Sequence, residues 1–142
     1  MKIRLVMLGK THRAECRTML EDYAARIGRF AEIELAEPRE DSATLKRLSF
    51  APGATIVLLD AGGKQFSSAE FARWLGAQRD RGVRELVFLC GGASGFPEAL
   101  RKKAGTKLAL SSLTMPHELA RVVLAEQIYR AFTILAGHPY SK

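Results

Sequence analysis

The chain has 142 residues, 47% of them hydrophobic, and carries 22 Lys and Arg against 15 Asp and Glu, a formal net charge of +7. This length and apolar content are typical of one globular domain, so we expect a single domain over residues 1–142. Apolar runs fall short of the roughly 20 residues that a membrane span needs, and no signal peptide precedes the first strand pattern. We therefore expect a cytoplasmic protein without membrane contact. The basic balance suits a polyanionic partner, although many basic proteins bind no nucleic acid.

Two cysteines, Cys16 and Cys90, stand far apart and lack the spacing of a metal site. Cys16 falls on the apolar stripe of a helix pattern, and Cys90 ends an apolar strand pattern. We expect two buried thiols, no disulfide and no bound metal.

The first third of the chain predicts two strands and two helices. Residues 3–8 form an apolar strand pattern, and residues 16–27 repeat apolar positions at helical spacing. Alternation over residues 32–35 predicts a strand exposed on one side. A loop follows, and Ser42 is expected to cap a short helix over residues 42–48.

The middle of the chain contains two runs that are apolar at every position, residues 55–59 and 86–90. Such runs are typical of strands covered on both faces of a parallel sheet. We expect a loop over residues 60–64 after the first run. A capping box of Ser67 and Glu70 then opens a helix.

The second apolar run is followed by the glycine-rich residues 91–95, and Pro97 is expected to begin a short helix that ends at Gly105. Residues 108–110 form the last strand pattern. Strands that alternate with helices predict an α/β fold with a mainly parallel sheet and helices on both faces.

The last helix is the longest, beginning near Pro116 in its first turn and ending at Gly137. One face is broadly apolar, with Ala120, Leu124, Ile128, Ala131, Phe132 and Leu135. The opposite side mixes apolar and polar residues: Leu119, Val122, Val123, Glu126, Gln127, Arg130 and Ile134. Two apolar sides indicate burial on both, either against a partner chain or inside a single core, and the pattern leaves both open.

Three loops, over residues 60–64, 91–95 and 111–116, follow three predicted strands. In an open α/β sheet, ligands bind outside the carboxyl ends of the strands. Gly91, Gly92 and Gly95 allow the backbone to approach a ligand closely, and backbone groups there suit adenosine. The chain has neither the dinucleotide fingerprint nor a P-loop, which disfavours NAD and ATP sites.

These loops also carry a family resemblance. Three stretches of the chain resemble the RlmH-type rRNA methyltransferases of the SPOUT class. They are LSxLTxPHxLxRxxLxEQxYRA…GHPY over residues 110–140, LLDAGGKQFSSAEFARWL over residues 58–75 and GGxxG over residues 91–95. The resemblance covers the whole chain. It implies a C-terminal trefoil knot, a homodimer, S-adenosylmethionine as cofactor, and methylation of N3 of a pseudouridine in 23S rRNA on assembled ribosomes.

The resemblance also implies positions for the site. Cofactor contacts carried over position by position fall on Leu59, Asp60, Gly92, Ser111, Ser112, Leu113, Thr114, Met115 and Pro116. The acceptor nitrogen must lose a proton, so a nearby base is useful. His117, His138 or hydroxide are the candidates, and Tyr140 in the tail is expected to line the active site. Arg121 and Arg130 are candidates for holding phosphate or the target base, with an ion pair to Glu126 as the alternative for Arg130.

An alternative from a different class is a non-catalytic α/β protein that binds RNA or a nucleotide at the same loops. For the methyltransferase, without an accessory RNA-binding domain, the dimer's own basic surface must supply the affinity for RNA. The candidate contacts are Arg4, Lys10, Arg13, Lys46, Arg47, Arg101 and Lys102.

Three departures from the family pattern stand out. Ser141 replaces a histidine, Ser94 replaces an acidic residue, and the loop over residues 37–41 is shortened. We still expect activity, because positioning supplies much of the rate of methyl transfer. Restoring histidine at Ser141 should raise the rate less than ~100-fold, the low end for a positioned acid–base group.

Overall fold

The computed structural model describes residues 1–140. Within them, five strands alternate with five helices, as the pattern predicts. The elements are β1 (Lys2–Met7), α1 (Ala14–Ile27), β2 (Glu32–Ala36), α2 (Ser42–Lys46), β3 (Thr55–Gln65), α3 (Ser68–Asp80), β4 (Glu85–Cys90), α4 (Glu98–Arg101), β5 (Thr106–Ala109) and α5 (His117–Ala136).

The five strands form one sheet in the order β2-β1-β4-β3-β5, and every neighbouring pair is parallel. The predicted α/β class with a parallel sheet is therefore confirmed. In a parallel sheet all strands end at the same edge, so the loops after β1, β3, β4 and β5 share that edge.

Both faces of the sheet are buried, but unequally. Alternate residues of β1 and β4, such as Leu5 and Phe88, face the larger core, which α1, α3 and α5 cover. The intervening Val6, Val87 and Leu89 face a smaller core, covered by the segments around α2 and α4. This two-sided burial explains why the central strands are apolar at nearly every position.

The long helix α5 packs against both α1 and α3, so its broad apolar face is a core face within this chain. Val122, expected on the opposite side, is only 3% exposed and belongs to the same core. Leu119 and Ile134 are each 44% exposed, so this side of α5 is not covered by other described residues of the chain. The helix ends at Gly137 as predicted, and this glycine adopts a left-handed conformation.

The strand β3 is longer than expected. Residues 60–64, predicted as a loop, belong to it, because pairing with β5 resumes at Lys64 and Gln65 after an irregularity. Leu108 pairs with both Leu59 and Lys64. Gly63 lies so close to β5 that a Cβ atom there would stand 2.6 Å from the carbonyl carbon of Lys107. Only glycine fits this approach without moving the backbone.

Several local boundaries differ from the sequence expectation. Asp41, rather than Ser42, caps α2, and its carboxylate accepts from the Thr44 amide. Pro97 and Pro116 occupy the N-cap positions of α4 and α5 instead of their first turns. The predicted capping box of Ser67 and Glu70 is present at the start of α3.

The two cysteines differ in burial. Cys90 is 2% exposed, and its burial raises the pKa of the thiol to about 12. Cys16 is half-buried instead of fully buried. Neither forms a disulfide. Among residues 1–140, no helix is long and apolar enough to cross a membrane.

The close approach at Gly63 gives a stability prediction. Gly63→Ala should lower the free energy of unfolding by about 1–3 kcal/mol, the usual cost of overpacking, because the added methyl meets backbone atoms of β5. Gly62→Ala is the matched control, since the nearest atom to its Cβ would be 3.7 Å away. Urea denaturation measures both, and equal stability of the two variants would contradict the packing argument.

Candidate functional site

The loops at the carboxyl edge of the sheet enclose a first cavity of about 190 Å³ between β3 and β5. Its apolar lining comes from six side chains: Leu59, Ala61, Leu108, Leu110, Leu113 and Met115. Its polar lining comes from Asp60, Ser111 and Thr114. An apolar slot with a few convergent polar groups is the usual composition of a small-molecule site.

A second, larger cavity of about 440 Å³ adjoins the first. The two share residues 59–61, and the second adds Phe96, Arg101 and His117 together with Gly91, Gly92 and Gly95. The three predicted loops therefore do converge on one cleft. Of the cofactor positions carried over from the resemblance, Ser112 and Pro116 are exposed and line neither cavity.

Asp60 lies where the two cavities meet, and its carboxylate is held on two sides. One oxygen accepts from the Gly62 amide at 3.1 Å, and the other accepts from Arg101 at 3.1 Å. The sequence pattern indicated Arg101 as an RNA contact, but the structure pairs it with Asp60 in the cleft. The salt bridge is partly exposed, so its role is to orient the carboxylate more than to stabilise the fold.

The glycine-rich loop after β4 lies against the exposed side chain of Glu40. A Cβ atom on Gly92 would collide with the carboxylate of Glu40, and one on Gly91 would crowd the ring of Phe96. Glu40 thus brings a carboxylate to the loop in which Ser94 replaces the acidic residue of the family pattern. Nothing in the sequence pattern indicated this contact, because Glu40 lies 52 positions before Gly92.

The chain's tail folds back on α5 through Tyr140. Its hydroxyl donates to Glu126 at 3.0 Å, and its ring packs edge-on against Tyr129. Arg130 donates to the same carboxylate of Glu126 at 2.7 Å and lies over the Tyr140 ring. The alternative for Arg130, an ion pair with Glu126, is therefore present in the structure.

Burial, together with bonds to Tyr23 and Glu126, raises the pKa of the Tyr140 hydroxyl above its ordinary value. The phenol therefore stays protonated at neutral pH and donates to Glu126 instead of accepting a proton. The bond to Glu126 likewise raises the pKa of Arg130, which stays charged.

The four candidate catalytic residues do not meet within one chain. His117 begins α5 and lines the second cavity, whereas exposed His138 follows the other end of the helix with Tyr140. A helix of 20 residues is about 30 Å long. His117 therefore lies at one cleft, and Arg130, His138 and Tyr140 form a separate group far from it.

Two arginines indicated as RNA contacts have structural partners instead. Arg121 is 0% exposed and donates to the Leu8 and Gly9 carbonyls, so the prediction that it holds phosphate or a base is wrong. Arg4 donates to Glu34 and Glu85 and is largely covered. The remaining cationic candidates, apart from Arg101, are exposed: Lys10, Arg13, Lys46, Arg47 and Lys102.

Comparison with known proteins identifies the class. Residues 1–141 match the model of a family described as "Predicted SPOUT methyltransferase". A match over nearly the whole chain, with the parallel sheet and the cleft at its carboxyl edge, shows that the chain belongs to the SPOUT methyltransferase family.

Individual relatives match this chain along nearly its full length. The chain is 42% identical to "Ribosomal RNA large subunit methyltransferase H" of Geotalea daltonii, with 99% of each chain covered. It is 44% identical to the protein of the same description from Koribacter versatilis, over 99% of this chain and 97% of that one. In fold it is similar to a probable methylase family protein from Haemophilus influenzae, with a TM-score of 0.57, 11% identity, and 99% and 70% coverage of the two chains.

The side chains that could bind a metal ion do not cluster in the described part of the chain. Residues 1–140 contain no group of three His, Cys, Asp or Glu side chains arranged to hold an ion.

The tail contact predicts a titration behaviour. In a spectrophotometric titration of the folded protein, the phenolate of Tyr140 should appear above the usual pH of about 10, since its pKa is raised. Tyr140→Phe should remove this late transition. A Tyr140 transition below pH 9 would mean that the phenol is available as a base near neutrality.

Proposed function

We propose that this SPOUT methyltransferase uses S-adenosylmethionine to methylate N3 of a pseudouridine in large-subunit rRNA on assembled ribosomes. The observation that carries the proposal is the convergence of residues 59–61, 91–95 and 110–115 on one cleft. The relatives described as large-subunit rRNA methyltransferases, matched along their whole length, support the choice of substrate.

The first cavity fits the cofactor. Its slot of Leu59, Leu110 and Met115 suits a flat purine ring, and the backbone of residues 111–115 can pair with the ring's edge. Asp60 supplies a carboxylate near the junction of the cavities, which suits a cation. S-adenosylmethionine would supply a methyl group on a cationic sulfonium. The trefoil knot belongs to this proposal, and the packing of Gly63 against residues 107–108 is consistent with it.

The second cavity is the place for the acceptor base. His117 lines it beside the glycine loop, within reach of a nucleotide that enters from the open side. An imidazole there can accept the imide proton as the nitrogen attacks. A positioned base supplies only part of the rate enhancement. Holding the methyl donor and the acceptor nitrogen in line supplies much of the rest.

A homodimer completes the proposed site. The group of Glu126, Arg130 and Tyr140 lies far from the cleft of its own chain, on the side of α5 where Leu119 and Ile134 are exposed. Two α5 helices packed antiparallel about a two-fold axis bring Glu126, Arg130 and Tyr140 of one chain, the tail group, to the His117 end of the other. Ser141 follows Tyr140 but lies outside the described residues.

The cofactor part of the proposal is tested by calorimetry. Thr114→Lys places a cation in the first cavity and should weaken S-adenosylmethionine binding at least about tenfold, equivalent to ~1.4 kcal/mol. Thr18→Lys, at an exposed position on α1 away from the cleft, is the matched control and should bind as the parent does.

The reaction is tested by methyl incorporation into ribosomes from a strain that lacks the modification. Turnover on those ribosomes, with none on fully modified ones, is the expected result. Absence of cofactor binding at near-millimolar S-adenosylmethionine would leave the alternative, a non-catalytic RNA-binding protein.

The dimer is tested by sedimentation equilibrium. Ile134→Asp introduces a charge on a side chain that is 44% exposed in the single chain, so the variant should lose its partner while its own core is unaffected. Ala77→Asp adds the same charge at an exposed position on α3 and should remain dimeric. A folded monomer of the parent chain at micromolar concentration contradicts the proposal.

A further inference from the structure

The buried Arg121 holds one short segment, residues 9–13, between β1 and α1. Its guanidinium donates to the Leu8 and Gly9 carbonyls at 2.7 and 2.9 Å and to the Thr11 hydroxyl at 2.9 Å. Glu37 lies 3.6 Å away and balances the charge, and it also accepts from the Thr11 amide. A buried charge is tolerated only with such partners, so these contacts fix the geometry of the segment closely.

The other end of the segment is held by the neighbouring turn of α5. The Glu118 carboxylate accepts from the Arg13 amide at 2.8 Å, although the two residues are 105 positions apart in the chain. Glu118 is 7% exposed and follows His117 directly. The segment is thus attached to α5 at two consecutive turns, immediately after the residue that lines the cleft.

The segment begins next to the glycine loop that lines the second cavity. The Leu8 amide donates to the Cys90 carbonyl at 3.0 Å, and Cys90 leads directly into the glycine loop. Two side chains of the segment, Lys10 and His12, are exposed to solvent. Within residues 1–140 neither of them forms an ion pair, although Glu118 lies near enough to His12 to interact with it electrostatically.

We infer that residues 9–13 form the edge of the acceptor site, on which Lys10 and His12 bind rRNA phosphates beside the target nucleotide, with Glu118 and Arg121 as positioning residues. The inference rests on the proposed function. A lysine ammonium and an imidazole N–H are donors that suit phosphate oxygens. Rigid attachment to α5 keeps these donors at a constant distance from His117, so that phosphate contacts set where the base enters.

The test measures binding of ribosomes that lack the modification by cosedimentation, over a range of salt. The double substitution Lys10→Gln with His12→Gln should weaken binding about fivefold to tenfold and reduce the slope of log affinity against log salt by about 1 to 2. The matched control removes Arg79 and Arg84, exposed cations at the opposite edge of the sheet, and should leave both quantities unchanged.

The positioning role of Glu118 is tested separately, because removing its carboxylate leaves the Lys10 and His12 side chains in the chain. Glu118→Ala should raise the KM for ribosomes with S-adenosylmethionine affinity unchanged. Glu118→Gln, whose side-chain oxygen can still accept from the Arg13 amide, should restore the parent value.

The outcomes separate this inference from the proposed function. Equal ribosome binding by the Lys10 and His12 double variant and its control overturns the inference, whether or not the parent methylates. A parent that binds ribosomes with the expected salt dependence but transfers no methyl group overturns the proposed function alone.

Discussion

The close contact between β3 and β5 is the constraint on which the cleft depends. Leu108 pairs with β3 at both Leu59 and Lys64, so the intervening residues leave the regular ladder at the carboxyl edge. Asp60 and Ala61, in that displaced stretch, line both cavities. A side chain at Gly63 would force the strands apart, and the wall of the cleft would move with them. The packing at Gly63 therefore determines both the stability of the sheet edge and the shape of the cleft.

Most of the fold was predictable because its signals are local. The central strands are apolar at each position, and two-sided burial requires that pattern. The helix α3 begins at its predicted capping box, Ser67 with Glu70, and α5 ends at Gly137. The position of the cleft also followed, since loops after parallel strands share one edge. The stretch over residues 60–64 was the exception, because its pairing depends on β5, more than 40 positions later.

The roles of individual charged residues were far less predictable, because they depend on partners distant in the chain. Arg121 has the helical spacing of the apolar face of α5, but the contacts that hold its charge there come from residues 8–11, about 110 positions away. Arg101 and Glu40 carry no motif, and only the folded chain brings them to Asp60 and Gly92. For Arg130 the local alternative, a partner one turn earlier, was present in the sequence and is present in the structure.

The placement of His117 and Tyr140 at opposite ends of α5 has a genetic consequence. Under the proposed two-fold pairing, each cleft takes its glycine loop from one chain and its tail group from the other. A chain defective at the His117 end, paired with a chain defective in the tail, then forms one cleft with both lesions and one with neither. Two inactive alleles expressed together would complement each other, and mixed dimers would retain a single working cleft.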